Sequence, residues 1–137
     1  MRIVADTNVV VSRFLWHGPE RQLMDAARES IVELFTSQDL LAEFDDVLSR
    51  PKFSNRLDLR NVSRTFLIDE YSGLATVVAR ENLSTQISRD KDDDEVLACA
   101  LAAECEAIVT GDNDLLVLQN YRGIRILRTA DLIAELI

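Results

Sequence analysis

Apolar positions along the chain fall into two kinds of segment: short runs bounded by turn residues, and longer stretches with helical spacing. Ile3-Val4-Ala5 is a short run that reads as a buried strand. Gly18-Pro19 punctuates the chain, and Pro19 suits the first turn of a helix carried from Glu20 to Glu29, with Leu23, Ala26 and Ala27 inward. Ile31 to Thr36 alternates and is β-branched in part, which predicts a second strand. Ser37 is a good N-cap for a helix over 38–49. Pro51 stops that helix, because the residue before a proline avoids helical geometry.

Lys52 to Leu59 is mixed and reads as a loop or a short helix. Phe66, Leu67, Glu70, Leu74 and Val77-Val78 are spaced helically, so a longer helix is expected from Val62 to Val78, weakened at Gly73. Gln86-Ile87-Ser88 is a candidate short strand, and Arg89 to Asp93 a charged loop. From Asp94 to Cys105 the residues are apolar or small nearly all round, which predicts a helix buried on most sides. Ala107 to Thr110 reads as a strand, and a short helix runs from Asn113 or Asp114 to Leu118. Gly123 turns the chain into a last strand, Ile124 to Leu127, and Thr129 caps a final helix over 130–137. Strands alternating with helices imply an α/β architecture, with a parallel sheet of four to five short strands covered on both faces. No repeat, linker or low-complexity segment interrupts the pattern, so 1–137 reads as one domain.

Composition narrows the class. Hydrophobic residues are 47% and charged residues 28% of the chain, ordinary values for a soluble globular protein. No apolar run approaches the roughly 18 residues of a membrane span. The N-terminus reaches Asp6 too soon for a signal peptide, so the expected location is cytoplasmic. Cys99 and Cys105 lie in an apolar helical stretch and read as structural thiols. No Cys/His zinc spacing, Gly-rich phosphate loop or G-x-S-x-G nucleophile motif is present. His17, the single histidine, reads as a loop or surface residue rather than a base. The net charge of -9 argues against tight non-specific nucleic-acid binding. It leaves room for an enzyme that grips its substrate locally through metal and some of its thirteen arginines. Arg13 lies close after Asp6, and Arg89 directly before the acidic run Asp90 to Glu95.

The acids carry the chemistry. Asp6 follows the first strand and Asp112 follows the Ala107 to Val109 run, so each sits where open α/β sheets place their sites. Each is equally suited to capping the next helix. Asp6 is followed by Thr7 and Asn8, which offer a supporting oxygen or a substrate contact. On the helix over 38–49, Glu43 and Asp45 flank the apolar stripe on opposite sides and Asp46 points away. Geometry alone does not separate Glu43 from Asp45. The run Asp90-Lys91-Asp92-Asp93-Asp94-Glu95 suits a helix N-terminus. Asp94 is the expected inward acid there, with Asp93 second. Asp112 and Asp114 share a tight turn with Gly111. Carboxylates converging on one edge would repel unless a cation joined them, and Mg²⁺ or Mn²⁺ suits such oxygen ligands.

Asp6-Thr7-Asn8 after the first strand, Glu43 on the following long helix, the acidic run into Asp94-Glu95-Val96-Leu97-Ala98-Cys99-Ala100, and Val109-Thr110-Gly111-Asp112-Asn113-Asp114-Leu115 together resemble the PIN domain. The likeness is to PIN proteins that serve as toxins of prokaryotic toxin–antitoxin pairs. It implies a three-layer α/β/α sandwich and a Mg²⁺- or Mn²⁺-dependent endoribonuclease. Carried over by position, Asp6, Glu43, Asp94 and Asp112 would be the metal-binding and catalytic acids. Asp114 would be auxiliary, and Thr7 or Asn8 a polar helper. Lys91 stands where the family usually has a proline. The resemblance further implies an RNA substrate, a homodimer and an inhibitory antitoxin. Metal-activated water would cut the phosphodiester and leave a 5′-phosphate. DNA cleavage stays open. Two other readings compete: a Mg²⁺-dependent phosphatase or phosphotransferase with Asp6 as nucleophile, and a non-catalytic PIN-like interaction module. The first lacks a second Asp two residues on, where Asn8 stands, and has only Lys52 and Lys91 to draw on.

Overall fold

The computed structural model describes residues 1–15, 18–79 and 91–136; the side chains at 13–15, 91 and 92 lie outside that description. In chain order the elements are β1 (Arg2–Ala5), α1 (Thr7–Leu15), α2 (Pro19–Arg28), β2 (Glu33–Thr36), α3 (Gln38–Ser49), α4 (Pro51–Leu59) and α5 (Arg64–Leu74). They continue with β3 (Thr76–Val77), α6 (Lys91–Ala102), β4 (Ala107–Val109), α7 (Asn113–Leu116), β5 (Asn120–Tyr121), β6 (Ile124–Leu127) and α8 (Thr129–Leu136).

The sheet order is β3-β2-β1-β4-β6-β5, with β1 near the centre. Four of the pairings are parallel, and β5 runs antiparallel to β6. The described sheet thus has six strands, not the four to five expected, and is not wholly parallel. Both additions are two-residue edge strands, too short to show a period. The helix expected over 62–78 ends at Leu74, and Thr76–Val77 instead pair with Phe35 and Thr36. Lys52 to Leu59 is helical, started by Pro51 in its first turn. The candidate strand Gln86-Ile87-Ser88 lies outside the described residues, as do Arg89, Asp90, Trp16 and His17. No helix among the described residues is long and apolar enough to cross a membrane.

Alternation along the strands splits the core in two. Ile3, Ala5, Leu34, Ala107 and Val109 face one apolar cluster, which holds the inward residues of α1, α2, α5 and α8 and most of those of α3. Val4, Phe35, Ile108 and Ile126 face the other, filled by α6 and Leu115 of α7. This is the period of two expected of strands buried on both faces.

Helix α6 is the most deeply buried of the helices that reach the sheet's C-terminal edge. Val96 to Ala100 are wholly buried. Each buried Val or Leu contributes roughly 1.5–3 kcal/mol, so the helix is held firmly against β1, β2 and β4. Its far end closes with Glu104 at φ 52, and with Cys105 N–H donating to Ala100 O at 2.9 Å. That left-handed turn returns the chain directly into β4. Arg2 ties the same end to the sheet: its Nε donates to Ala103 O at 2.9 Å, and its guanidinium lies 4.4 Å from the Phe35 ring centre.

Candidate metal centre

Strands β1 and β4 are neighbours, and their C-terminal ends deliver Asp6 and the Thr110-Gly111-Asp112 turn side by side. The register is fixed by Ala5 opposite Val109. One step further, Asp6 N–H donates to Val109 O at 2.9 Å. The chain order changes direction here, β2 lying on one side of β1 and β4 on the other. That is the switch point at which α/β sheets open a crevice.

Three carboxylates meet at this edge. One ligand oxygen each from Asp6, Asp93 and Asp112 lies within 4.8 Å of the others. Asp6 and Asp93 are buried, and Asp112 is half-buried. The first turn of α6 brings Asp93 in over the ends of β1 and β4. Helix α6 is described from Lys91, three residues before the expected start, so Asp93 and Asp94 both lie on it. Successive helical residues point about 100° apart. Asp94 is also buried, yet the acid grouped with Asp6 and Asp112 is Asp93.

Hydrogen bonds brace the group. Thr110, wholly buried, donates its hydroxyl to Asp6 Oδ2 at 2.8 Å and accepts from Asp112 N–H at 3.0 Å. Asp112 Oδ1 accepts from Asp114 N–H at 2.8 Å, which caps α7. Capping and ion binding are therefore not exclusive: a carboxylate offers about four lone-pair sites, and this cap uses one oxygen. Thr110 is a site residue that the sequence pattern does not single out. Its one signal there is a hydroxyl placed between a buried strand end and a Gly-Asp turn.

Glu43 is half-buried on α3 and is not one of the three grouped acids. Asp45 forms an ion pair with Arg64 at 2.8 Å and Asp46 with Arg50 at 3.2 Å, and both are exposed. Asp114 is half-buried beside Asp112. Thr7 is buried at the start of α1, and Asn8 is exposed. The Arg13 side chain and Arg89 lie outside the described residues.

Three carboxylates this close repel one another. Like charges brought this close cost free energy unless a counter-charge joins them. A hard divalent cation removes that cost, and an all-oxygen donor set selects for one. The residues present therefore fit a divalent metal.

A family model described as PIN domain matches residues 2–114. The chain belongs to the PIN domain family. PIN domains are generally metal-dependent nucleases, and the acid triad fits that chemistry. The PIN domain of T. brucei RRP44 is a similar solved structure: 15% sequence identity and a TM-score of 0.47, covering 97% of this chain and 79% of that one. No curated protein sequence matches. Within this PIN domain a cleft of ≈ 250 Å³ opens beside Thr110 and Gly111, walled by α1, α2 and the start of α8.

Proposed function

We propose that this PIN domain, taken as one nuclease unit over 1–137, is a Mg²⁺- or Mn²⁺-dependent endoribonuclease. We further propose that it is the cytoplasmic toxin of a prokaryotic toxin–antitoxin pair, homodimeric and held inactive by its antitoxin. The observation that carries the nuclease reading is the convergence of Asp6, Asp93 and Asp112 within 4.8 Å. Family membership supports it. The toxin reading rests on the resemblance in the acid motifs alone.

In this reading Asp6, Asp93 and Asp112 hold the ion, with Glu43, Asp94 and Asp114 as further acids around it. The cation would supply charge neutralisation on the phosphate and an activated water at neutral pH. The chain supplies placement. Thr110 fixes Asp6 and the Asp112 backbone together, so two of the three acids cannot drift apart. The α7 cap limits rotation of the Asp112 carboxylate. Helix α6, packed against β1 and β4, holds Asp93 at the strand ends. With a net charge of -9, RNA approach depends on the cation and on arginines at the sheet edge.

The test is digestion of single-stranded and structured RNA with Mg²⁺ or Mn²⁺. Cleavage that stops in EDTA and in Asp6→Asn supports the assignment. Undiminished cleavage in either condition rejects it. For the toxin role, growth arrest on expression should vanish in Asp6→Asn and be relieved by co-expressing the product of a small adjacent reading frame. No effect of wild-type expression on growth would sink that part alone.

A further inference from the structure

The nuclease reading leaves the cleft beside the acids without a role, although it is built from four elements. Asn8, Val9 and Ser12 of α1, Pro19 and Glu20 of α2, Thr110 and Gly111 after β4, and Arg128, Thr129 and Ala130 at the head of α8 line it. We propose that this cleft seats the nucleotide flanking the cut, and that Arg128 binds that nucleotide's phosphate. The proposal rests on the nuclease reading and assigns it a substrate-binding residue.

Placement supports this assignment. Strands β1, β4 and β6 are consecutive in the sheet, and all three are parallel. Asp6 follows β1, Thr110 follows β4 and Arg128 follows β6, so the three stand along one edge. Thr110 N–H donates to Leu127 O at 3.0 Å, which carries the ladder up to the residue before Arg128. Two strand spacings, roughly 10 Å, separate the β1 end from the β6 end. Arg128 is therefore displaced from the acids towards a neighbouring phosphate rather than the one being cut. Thr110 belongs to both parts: it braces Asp6 and lines the cleft.

Charge supports it independently. Several other arginines are already engaged: Arg28 with Asp25, Arg50 with Asp46, Arg64 with Asp45, and Arg125 with Glu135 in a two-pronged pair. Arg2 is spent on Ala103 O and the Phe35 ring. Arg128 donates from Nη2 to the neutral amide oxygen of Asn113 at 3.3 Å, and among the described residues no carboxylate pairs with it. It is exposed at a cleft mouth. A guanidinium in that setting is suited to two-pronged phosphate binding. The remaining wall offers Asn8, Ser12 and Thr129 for ribose or base hydrogen bonds. Glu20 is an acceptor that would repel phosphate and favour a base amino group.

The experiment uses the full chain and a labelled single-stranded RNA. In cleavage assays Arg128→Ala should raise KM about tenfold, the scale of a lost charged hydrogen bond, with kcat nearly unchanged. Arg128→Lys should recover part of that loss, and thermal melts should show both variants folded. In an Asp6→Asn background, which binds without cutting, Arg128→Ala should make the slope of log affinity against log salt shallower by about 0.7. An unchanged KM and salt slope in Arg128→Ala, with wild-type cleavage intact, would overturn the cleft assignment and leave the nuclease reading standing. A fall in kcat alone would place Arg128 on the scissile phosphate and also overturn it. Absence of wild-type cleavage would remove the nuclease reading and this proposal together.

Discussion

The Thr110 hydroxyl reaches Asp6 Oδ2 at 2.8 Å, joining residues 104 positions apart in the chain. The same oxygen accepts from the Asp112 backbone. One buried side chain thus sets the distance between two acids on adjacent strands.

Thr110→Val keeps the shape of the side chain and removes both hydrogen bonds. It should lower RNA cleavage by about 10–100-fold, as small misplacements at catalytic sites do. It should also cost about 1–3 kcal/mol of stability, since a buried acceptor and donor lose their partner. Thr110→Ser should retain most activity. Cleavage by a folded Thr110→Val protein at the wild-type rate would show that the brace is not needed.

Asp93 and Asp94 are neighbours with different expected roles. Titration calorimetry with Mn²⁺ should lose its site-specific signal in Asp93→Asn. In Asp94→Asn binding should weaken only a few-fold. The reverse ranking would hand the ligand role to Asp94 and reject the grouping of Asp6, Asp93 and Asp112 as the working set.

Clustered carboxylates destabilise the protein when no cation is present. Asp6→Asn should therefore melt about 3 °C higher than wild type in EDTA. The Asn side-chain oxygen can still accept from Thr110. Added Mn²⁺ should invert the order, because only the wild type gains binding energy. A lower melting point for the variant in EDTA would contradict the expected repulsion.

Burial pushes the Cys99 thiol up to about 12 from an ordinary value of 9.0, with Cys105 and Glu95 adding to the effect. Burial likewise pushes Cys105 to about 12, against the opposing pull of Arg2. Tyr71 is raised too, by burial first and Cys99 second. A raised folded value means the unfolded chain ionises first as pH rises. The stabilisation is complete below about pH 9 and is lost progressively up to about pH 12. Melting points measured from pH 8 to 11 should fall, and Cys99→Ala should flatten the decline. A flat wild-type profile would refute it.

How much of the fold and site was legible in the sequence varies with the signal each element carries. Helix α3 has its expected bounds because Ser37 caps it and Pro51 terminates it. Strand β6 agrees because Gly123 and Thr129 bracket it. Strands β3 and β5 have two residues each, and no periodicity exists over two residues. Val77 and Val78 carry helical spacing by chance, which extends the expected α5 too far. Asp6 and Asp112 are readable as acids at strand ends. Asp93 is harder, since choosing it over Asp94 needs the helix start to within one residue. Acidic residues that favour a helix N-terminus do not mark where the first turn begins. Arg128 is invisible as a site residue, because nothing local says that β6 ends beside β4.

Among the described residues the sheet's two margins are β3 and β5, each with a ladder two residues long. Such stubs give an incoming strand almost nothing to hydrogen-bond with. Self-association by strand addition is thereby discouraged. Contact between two copies through these margins is disfavoured, and helical surfaces are the better-matched alternative, which would leave the acidic crevice at the strand ends clear of any sheet-to-sheet seam.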